Sequence, residues 1–315
     1  MNKYAAAGRK KYLYGPVPSR RLGRSLGVDI VPQKICTLDC VYCQLGKSSQ
    51  KTIERRNYVS ADAILAELKQ ALSEGLEVDY ITIAGSGEPT LNSELGALID
   101  GIRKITAVKV AVLTNGTLLT EPAVRVECAK ADVVLPSLDA SDEKTFQRIN
   151  RPHEGISFEK FVEGLIKFRS DFAGQIWLEV FMVEGINTDK RQIENLKGLI
   201  ERIRPDKVQL NTAVRPTFEP GIKPLPEAKL MQIASELGPK AEVVADYEYL
   251  HTSRRLEIDT QTVLEMLKRR PCSLEDICSG LGLKAEEAQS HLNYLMQTGL
   301  IESEKRGNVT FFKAQ

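Results

Sequence analysis

Cysteine is scarce, and where it gathers the number is odd. Three of the six cysteines, Cys36, Cys40 and Cys43, stand close together with none before them and no fourth within reach. That shortfall excludes a local disulfide framework, since three thiols cannot pair among themselves. It also argues against structural zinc, which takes four protein ligands in a tetrahedron. Histidine does not complete the set: His153 and His251 are isolated, and His291 reads as a helix surface residue. Long apolar runs are missing too, and without about eighteen consecutive apolar residues no membrane span is expected. No apolar stretch stands near Met1, so a secretory signal is not expected and the thiols read as those of a cytoplasmic protein. Net charge is almost absent, at a formal +1.

What is present starts with the spacing C-x3-C-x2-C in Ile35-Cys-Thr-Leu-Asp-Cys-Val-Tyr-Cys. Three thiolates on a 4Fe–4S cluster leave one iron open to a group from outside the protein. Zinc and inert thiols are the lesser readings. The motif, with aromatic Tyr42 before its third cysteine, resembles that of the radical S-adenosylmethionine (SAM) enzymes. The resemblance implies a 4Fe–4S cluster on Cys36, Cys40 and Cys43, SAM chelated at the open iron, and a one-electron donor such as flavodoxin or ferredoxin. It further implies reductive cleavage of SAM to methionine and a 5′-deoxyadenosyl radical that takes hydrogen from a substrate.

Downstream, short apolar runs alternate with amphipathic helical patterns. Leu26–Val31, Val78–Ala84, Val108–Leu113, Asp132–Ser137, Gln175–Phe181 and Lys207–Asn211 read as strands. The region from Ala61, then Leu95–Ile105, Pro122–Lys130, Phe158–Phe168 and Ile193–Ile203, read as helices. Strand–helix repetition implies an α/β fold with parallel strands and right-handed crossovers. Six units fall short of an eight-unit barrel and match the partial (β/α)6 TIM-like barrel of the resembled family.

In such sheets ligands gather at the carboxyl ends of strands, and those ends carry the candidate site. Ala84-Gly-Ser-Gly-Glu-Pro follows the second strand and is similar to the family's Gly-Gly-Glu segment, which implies that Ser86, Gly87 and Glu88 meet the SAM ammonium group. Thr114 and Asn115 follow the third strand, as turn caps or as contacts to SAM or substrate. Ser137 and Asp139 follow the fourth, where the resemblance implies the SAM carboxylate or ribose. Glu179 interrupts an apolar strand and so must be paired, solvated or ligand-bound. Asn211, Thr212 and Arg215 end the sixth strand, and Arg215 suits an anion clamp or an ordinary salt bridge.

Charge divides the chain unevenly. Residues 1–59 carry twelve Lys/Arg against Asp29, Asp39 and Glu54, which suits either a solvated leader or an anionic partner. Within it, Tyr14–Asp29 resembles an uncharacterised radical SAM group whose broad relatives include wyosine-forming tRNA enzymes, with Arg20, Arg21 and Arg24 expected near the mouth. Those enzymes hold a second cluster on earlier cysteines, and here no cysteine precedes Cys36. Cys128 reads as core, and a second cluster from Cys128, Cys272 and Cys278 is a lesser reading.

Near Tyr249 the pattern changes. Helices at Thr262–Arg269, Ser273–Ser279 and Ala285–Gln297, then strands at Leu300–Ser303 and Val309–Phe312, resemble a winged-helix domain. Residues 257–315 hold seven basic and nine acidic residues, with Glu286 and Glu287 on the expected recognition helix, so duplex DNA is not the expected partner. The organisation expected is a basic leader at 1–25, a radical SAM core at 26–248 and a winged helix at 257–315. RNA modification is the first functional reading, modification of a docked protein or peptide the second, and a cluster-bearing transcription regulator the third.

Overall fold

The computed structural model describes residues 11–19, 21–214, 217, 219, 221–244, 260–281, 283–307 and 309–315. Arg20, Arg215, His251 and the expected junction between 248 and 257 lie outside the described residues. In chain order the first elements are β1 (Leu13–Ser19), β2 (Gly23–Asp29), short β3 (Ile35–Cys36) and β4 (Gln50–Lys51), and α1 (Ala61–Ser73). Next come β5 (Tyr80–Ala84), α2 (Leu95–Ile105), β6 (Lys109–Thr114), α3 (Pro122–Cys128), β7 (Val133–Pro136), α4 (Glu143–Ile149) and α5 (Phe158–Asp171). Then β8 (Gln175–Met182), α6 (Lys190–Ile203), β9 (Lys207–Thr212), α7 (Glu227–Leu237) and β10 (Ala241–Val243) complete the sheet region.

One sheet runs β1-β2-β5-β6-β7-β8-β9-β10. Only β1 is antiparallel to its neighbour, and every later pairing is parallel. All six expected strands lie in it, with ends shifted by a few residues. The helices between them bury one stripe each: Leu98, Ile99 and Ile102 on α2, and Ile193, Leu196, Ile200 and Ile203 on α6. Full burial of each such side chain stabilises the fold by about 1.5–3 kcal/mol.

The described part of the stretch expected as a leader joins the sheet, because β1 and β2 form a hairpin and the expected boundary at residue 25 falls inside β2. Gly15, Pro16 and Pro18 disguise β1 as a turn-rich segment. Its edge position tolerates prolines, which donate no ladder hydrogen bond, and the register shifts between Tyr14 and Val17. Glycine at position 27 makes room for the Tyr14 ring, since a Cβ would lie 2.0 Å from it and displace it.

The remaining elements are α8 (Thr260–Arg269), β11 (Cys272–Ser273), α9 (Leu274–Leu281), α10 (Ala285–Gln297), β12 (Ile301–Arg306) and β13 (Val309–Ala314). Their strands form a small antiparallel sheet ordered β11-β13-β12. A separate core of Val263, Leu267, Ile277, Leu292, Ile301 and Phe312 holds this module, and Val17 of β1 packs against it. Among the described residues no helix is long and apolar enough to cross a membrane.

Candidate functional site

The loop from β2 to α1 carries the three cysteines over the carboxyl ends of the strands, and backbone pairing fixes it there. Lys34 N donates to Ser86 O at 2.6 Å and Glu88 N donates to Ile35 O at 3.0 Å. Asp29 at the end of β2 accepts from Ser86 N at 3.2 Å and from Ser86 Oγ at 2.5 Å. The serine hydroxyl thus gives the turn after β5 an anchor that glycine would lack. Gly87 lies so close to the cysteine loop that a Cβ would stand 2.2 Å from Ile35 O. Because that obstacle is backbone, Gly87→Ala must push turn and loop apart. Most of the iron bound on anaerobic reconstitution should be lost in this variant, measured as iron per chain; wild-type loading would refute the argument.

Glu88, only 2 % exposed, is saturated by the chain itself. Its Oε1 accepts from Thr90 N at 3.0 Å, Thr90 Oγ1 at 2.6 Å and Thr114 Oγ1 at 2.6 Å, and its Oε2 from Asn115 N at 2.7 Å. Burial raises its pKa against the pull of these donors. The carboxylate therefore ties the ends of β5 and β6 together beneath the cysteines.

Asn115 takes the first of its two expected roles, the turn cap, and also reaches the cysteine loop. Its Oδ1 caps the next turn through Thr117 N at 3.0 Å, while Nδ2 donates to Thr37 Oγ1 at 2.7 Å and reaches Cys36 Sγ at 3.6 Å. A matching contact comes from Asn150, which no motif singled out: its Nδ2 donates to Cys40 Sγ at 3.4 Å and to Asp139 Oδ2 at 2.7 Å. Asp139 also accepts from Tyr42 Oη at 2.5 Å and from Phe181 N at 2.8 Å. Burial pushes Asp139 up to about 6 despite these three donors. Any stability this adds is complete below the ordinary carboxylate range and is lost as pH rises through about 6. Tyr42 stacks on Phe181 with ring centroids 3.9 Å apart. Ser137 pairs with Glu179 as an isolated backbone bridge.

Glu179 is paired rather than solitary. Arg21 Nη1 lies 2.5 Å from its Oε2, and Asn211 Nδ2 donates to its Oε1 at 3.2 Å. Sequence reasoning named all three residues but could not join partners 158 positions apart. Arg24, expected near the mouth, instead meets Asp79 and Glu77 beside the start of β5. None of the six cysteines is in a disulfide. Cys128 is buried in the sheet's core while Cys272 and Cys278 belong to the C-terminal core, so the three thiols of the lesser second-cluster reading stand in separate cores. Among the described residues no three His, Cys, Asp or Glu converge as ligands of a single ion.

A cavity of about 420 Å³ opens beside the loop, lined by Tyr42, Cys43 and Gln44 at one end and by Arg21, Glu179, Phe181 and Asn211 along its wall. Residues 30–196 of the chain match the radical SAM superfamily. The chain belongs to that superfamily. Within it the chain is a UPF0026 protein, 40 % identical to one from Synechocystis over 65 % of this chain and 76 % of that one. A Brachyspira hyodysenteriae protein named GTPase Obg is 36 % identical over 96 % of this chain, which spans only 45 % of that relative's length. The fold is similar to a structure of TYW1 with a lysine–pyruvate adduct bound, at a TM-score of 0.52 and 20 % identity, covering 71 % of this chain and 75 % of that one. The mostly parallel sheet is thus that of the radical SAM partial barrel.

Membership of the radical SAM superfamily implies a 4Fe–4S cluster and SAM, and the donor set fits the cluster. Three half-buried free thiols share one loop, and side-chain amides donate to two of them. Burial pushes Cys36 up to about 12 and raises Cys40 and Cys43 as well. Nearby Glu88 and Asp139 add to the effect on Cys36 and Cys40. A site that disfavours bare thiolates so strongly suits a cationic metal centre, which displaces the thiol protons on binding.

Proposed function

We propose that this radical SAM protein cleaves SAM reductively and takes a hydrogen atom from a substrate seated in the cavity beside Cys43. The bound cluster would supply the electron that breaks the SAM carbon–sulfur bond, and the radical so made would remove substrate hydrogen. The reading rests most on one observation: Cys43 and Tyr42 line the same cavity as Arg21, Glu179 and Asn211. Tyr42, Ser86, Gly87, Asn115 and Ser137 are the residues we assign to SAM contact, through backbone or side chain. Glu88 and Asp139 we assign to holding that shell, since their carboxylates are already engaged. A flavodoxin- or ferredoxin-type donor and a cytoplasmic setting accompany this reading.

RNA remains an outcome to test, although several cations of the basic segment are engaged within the chain. Arg21 meets Glu179, Arg24 meets Asp79 and Arg55 meets Glu127. Protein reconstituted without oxygen and reduced in the presence of SAM should release methionine and 5′-deoxyadenosine in equal amounts. Cluster-loaded protein that binds SAM and never cleaves it would favour a regulator instead. Salt-sensitive retention of RNA by the full chain would support the RNA reading.

The C-terminal module has the helix and hairpin order of a winged helix, and we assign it to residues 257–315, after a core that takes in the β1–β2 hairpin and runs to 248. Its α10 opens with Glu286 and Glu287, the latter accepting from Lys284 N at 3.0 Å. Carboxylates there repel a phosphate backbone before any base is read. The full chain should show no sequence-specific duplex binding at physiological salt in fluorescence anisotropy. Nanomolar affinity for a defined duplex would reverse the assignment.

A further inference from the structure

Resting on the cluster-bearing reading above, we propose that Asn150 is a positioning residue for electron entry: acting through Cys40, its side-chain amide makes the bound cluster easier to reduce. The observation is a juxtaposition. One amide nitrogen donates both to Cys40 Sγ at 3.4 Å and to Asp139 Oδ2 at 2.7 Å, so its two protons serve a cluster ligand and the carboxylate beside it. The oxygen of the same amide is left over. Asn150 is 3 % exposed, and among the described residues its Oδ1 has no hydrogen-bond partner. An unmet buried acceptor costs stability and calls for a reason. Turning the amide over would set that oxygen against the Asp139 carboxylate, so the orientation is fixed by what the nitrogen does.

The backbone holds this amide in place. Val41 N donates to Ile149 O, Asp39 N to Asn150 O and His153 N to Thr37 O, each at 2.9 Å, which registers the strip 149–153 along the cysteine loop. Arg151 then takes a φ of 45°, a left-handed conformation that a non-glycine residue keeps only where its surroundings demand it. The chemistry follows from charge. A one-electron donor adds a single negative charge that the thiolate sulfurs share, so an N–H aimed at a sulfur favours the reduced form; hydrogen bonds to sulfur are among the determinants of a cluster's potential. The Asp139 carboxylate opposes that charge, standing close enough to Cys40 to push its thiol pKa up. Asn150 engages the carboxylate and the sulfur with one group. Backbone N–H groups serve the other thiols, Leu38 for Cys36 and Leu45 and Gly46 for Cys43, whereas Cys40 takes this side chain. Asn115 repeats the pattern on the Glu88 side, but its contact to Cys36 Sγ is longer at 3.6 Å and its Nδ2 also serves Thr37 Oγ1 at 2.7 Å, so Asn150 carries the larger effect.

The test is a potentiometric titration of the full chain, reconstituted without oxygen and kept free of SAM, with the reduced cluster counted by electron paramagnetic resonance. Asn150→Leu keeps the branching of the side chain and removes the donor. At a fixed solution potential its ratio of reduced to oxidised cluster should fall about tenfold, which for a one-electron couple is a shift of about 59 mV to more negative values. Asn150→Gln, which retains an amide, should recover part of it. A merely structural residue would lower the melting temperature of the cluster-free chain or the iron loaded, yet leave the bound cluster at the wild-type potential. That result overturns the proposal, as does a shift to more positive values. If Asn150→Leu binds no iron, a signature in protein labelled with a heavy nitrogen isotope in its asparagine side chains decides instead. Pulsed resonance of the reduced cluster should then show a coupled amide nitrogen that persists in Asn115→Ala, and its absence overturns the proposal. Because neither arm contains SAM, a cluster that accepts the electron while SAM is never cleaved defeats only the radical reading. A chain that binds no cluster defeats both.

Discussion

Alanine at any one of Cys36, Cys40 or Cys43 is expected to abolish cluster assembly, taking iron from about four per chain to near zero. The argument is local and steep. Three thiolates already leave one iron without a protein ligand, so a second vacancy leaves the cluster held by two, and no other described cysteine shares the loop. Cys128, the last residue of α3, is fully buried in the sheet's core, and Cys272 sits in the C-terminal core. Alanine at either should leave iron loading intact, which separates loss of a ligand from loss of any thiol. Iron and sulfide content after anaerobic reconstitution, with visible absorbance, measures both arms. Stoichiometric zinc without iron in protein prepared under exclusion of oxygen would overturn the assignment. Loss of 5′-deoxyadenosine formation should follow loss of iron in the same variants.

What could be read from the chain divides along sequence separation. The cysteine loop announces itself through residue type and local spacing, and the turn at Ser86–Glu88 and the strand ends at Asn115 and Asp139 through their place after predicted strands and their resemblance to the family's segments. So do α2 and α10, whose expected bounds match the structure. β1 was hidden because Gly15, Pro16 and Pro18 carry the local signals of a turn, and only the edge position beside β2 makes them tolerable. β10 spans three residues, too short for alternation to register. The pairing of Arg21 with Glu179 and of Asn150 with Cys40 depends on the barrel bringing remote strands together, and no local pattern encodes it. Asn150 stands at the end of α4 in a stretch that would pass for an ordinary helix stop. Its significance is visible only once Asp139 and Cys40 are both found against its amide.

The same separation governs the second large effect. Sequence resemblance alone makes Glu88 a SAM contact, so that Glu88→Ala would weaken SAM binding and leave the cluster intact. The geometry leads elsewhere. Thr90 N, Thr90 Oγ1, Thr114 Oγ1 and Asn115 N all donate to this one carboxylate, and truncation strands them in a site that water hardly reaches. Removing one side of such a buried charged network costs about 3–5 kcal/mol. For a chain of this size that should lower the melting temperature of the cluster-free protein by roughly 5–15 °C. Glu88→Gln keeps one acceptor oxygen but turns an amide donor toward groups that are themselves donors, so it should fall between wild type and alanine. Asn115 carries the disturbance onward, because its backbone N–H rests on Glu88 while its side chain touches Thr37 and Cys36. Iron loading should therefore drop together with stability. Thermal unfolding of the cluster-free variants decides the matter, since it involves neither SAM nor iron. A Glu88→Ala protein that melts with wild type and loses only SAM affinity would return the residue to direct contact with the cofactor.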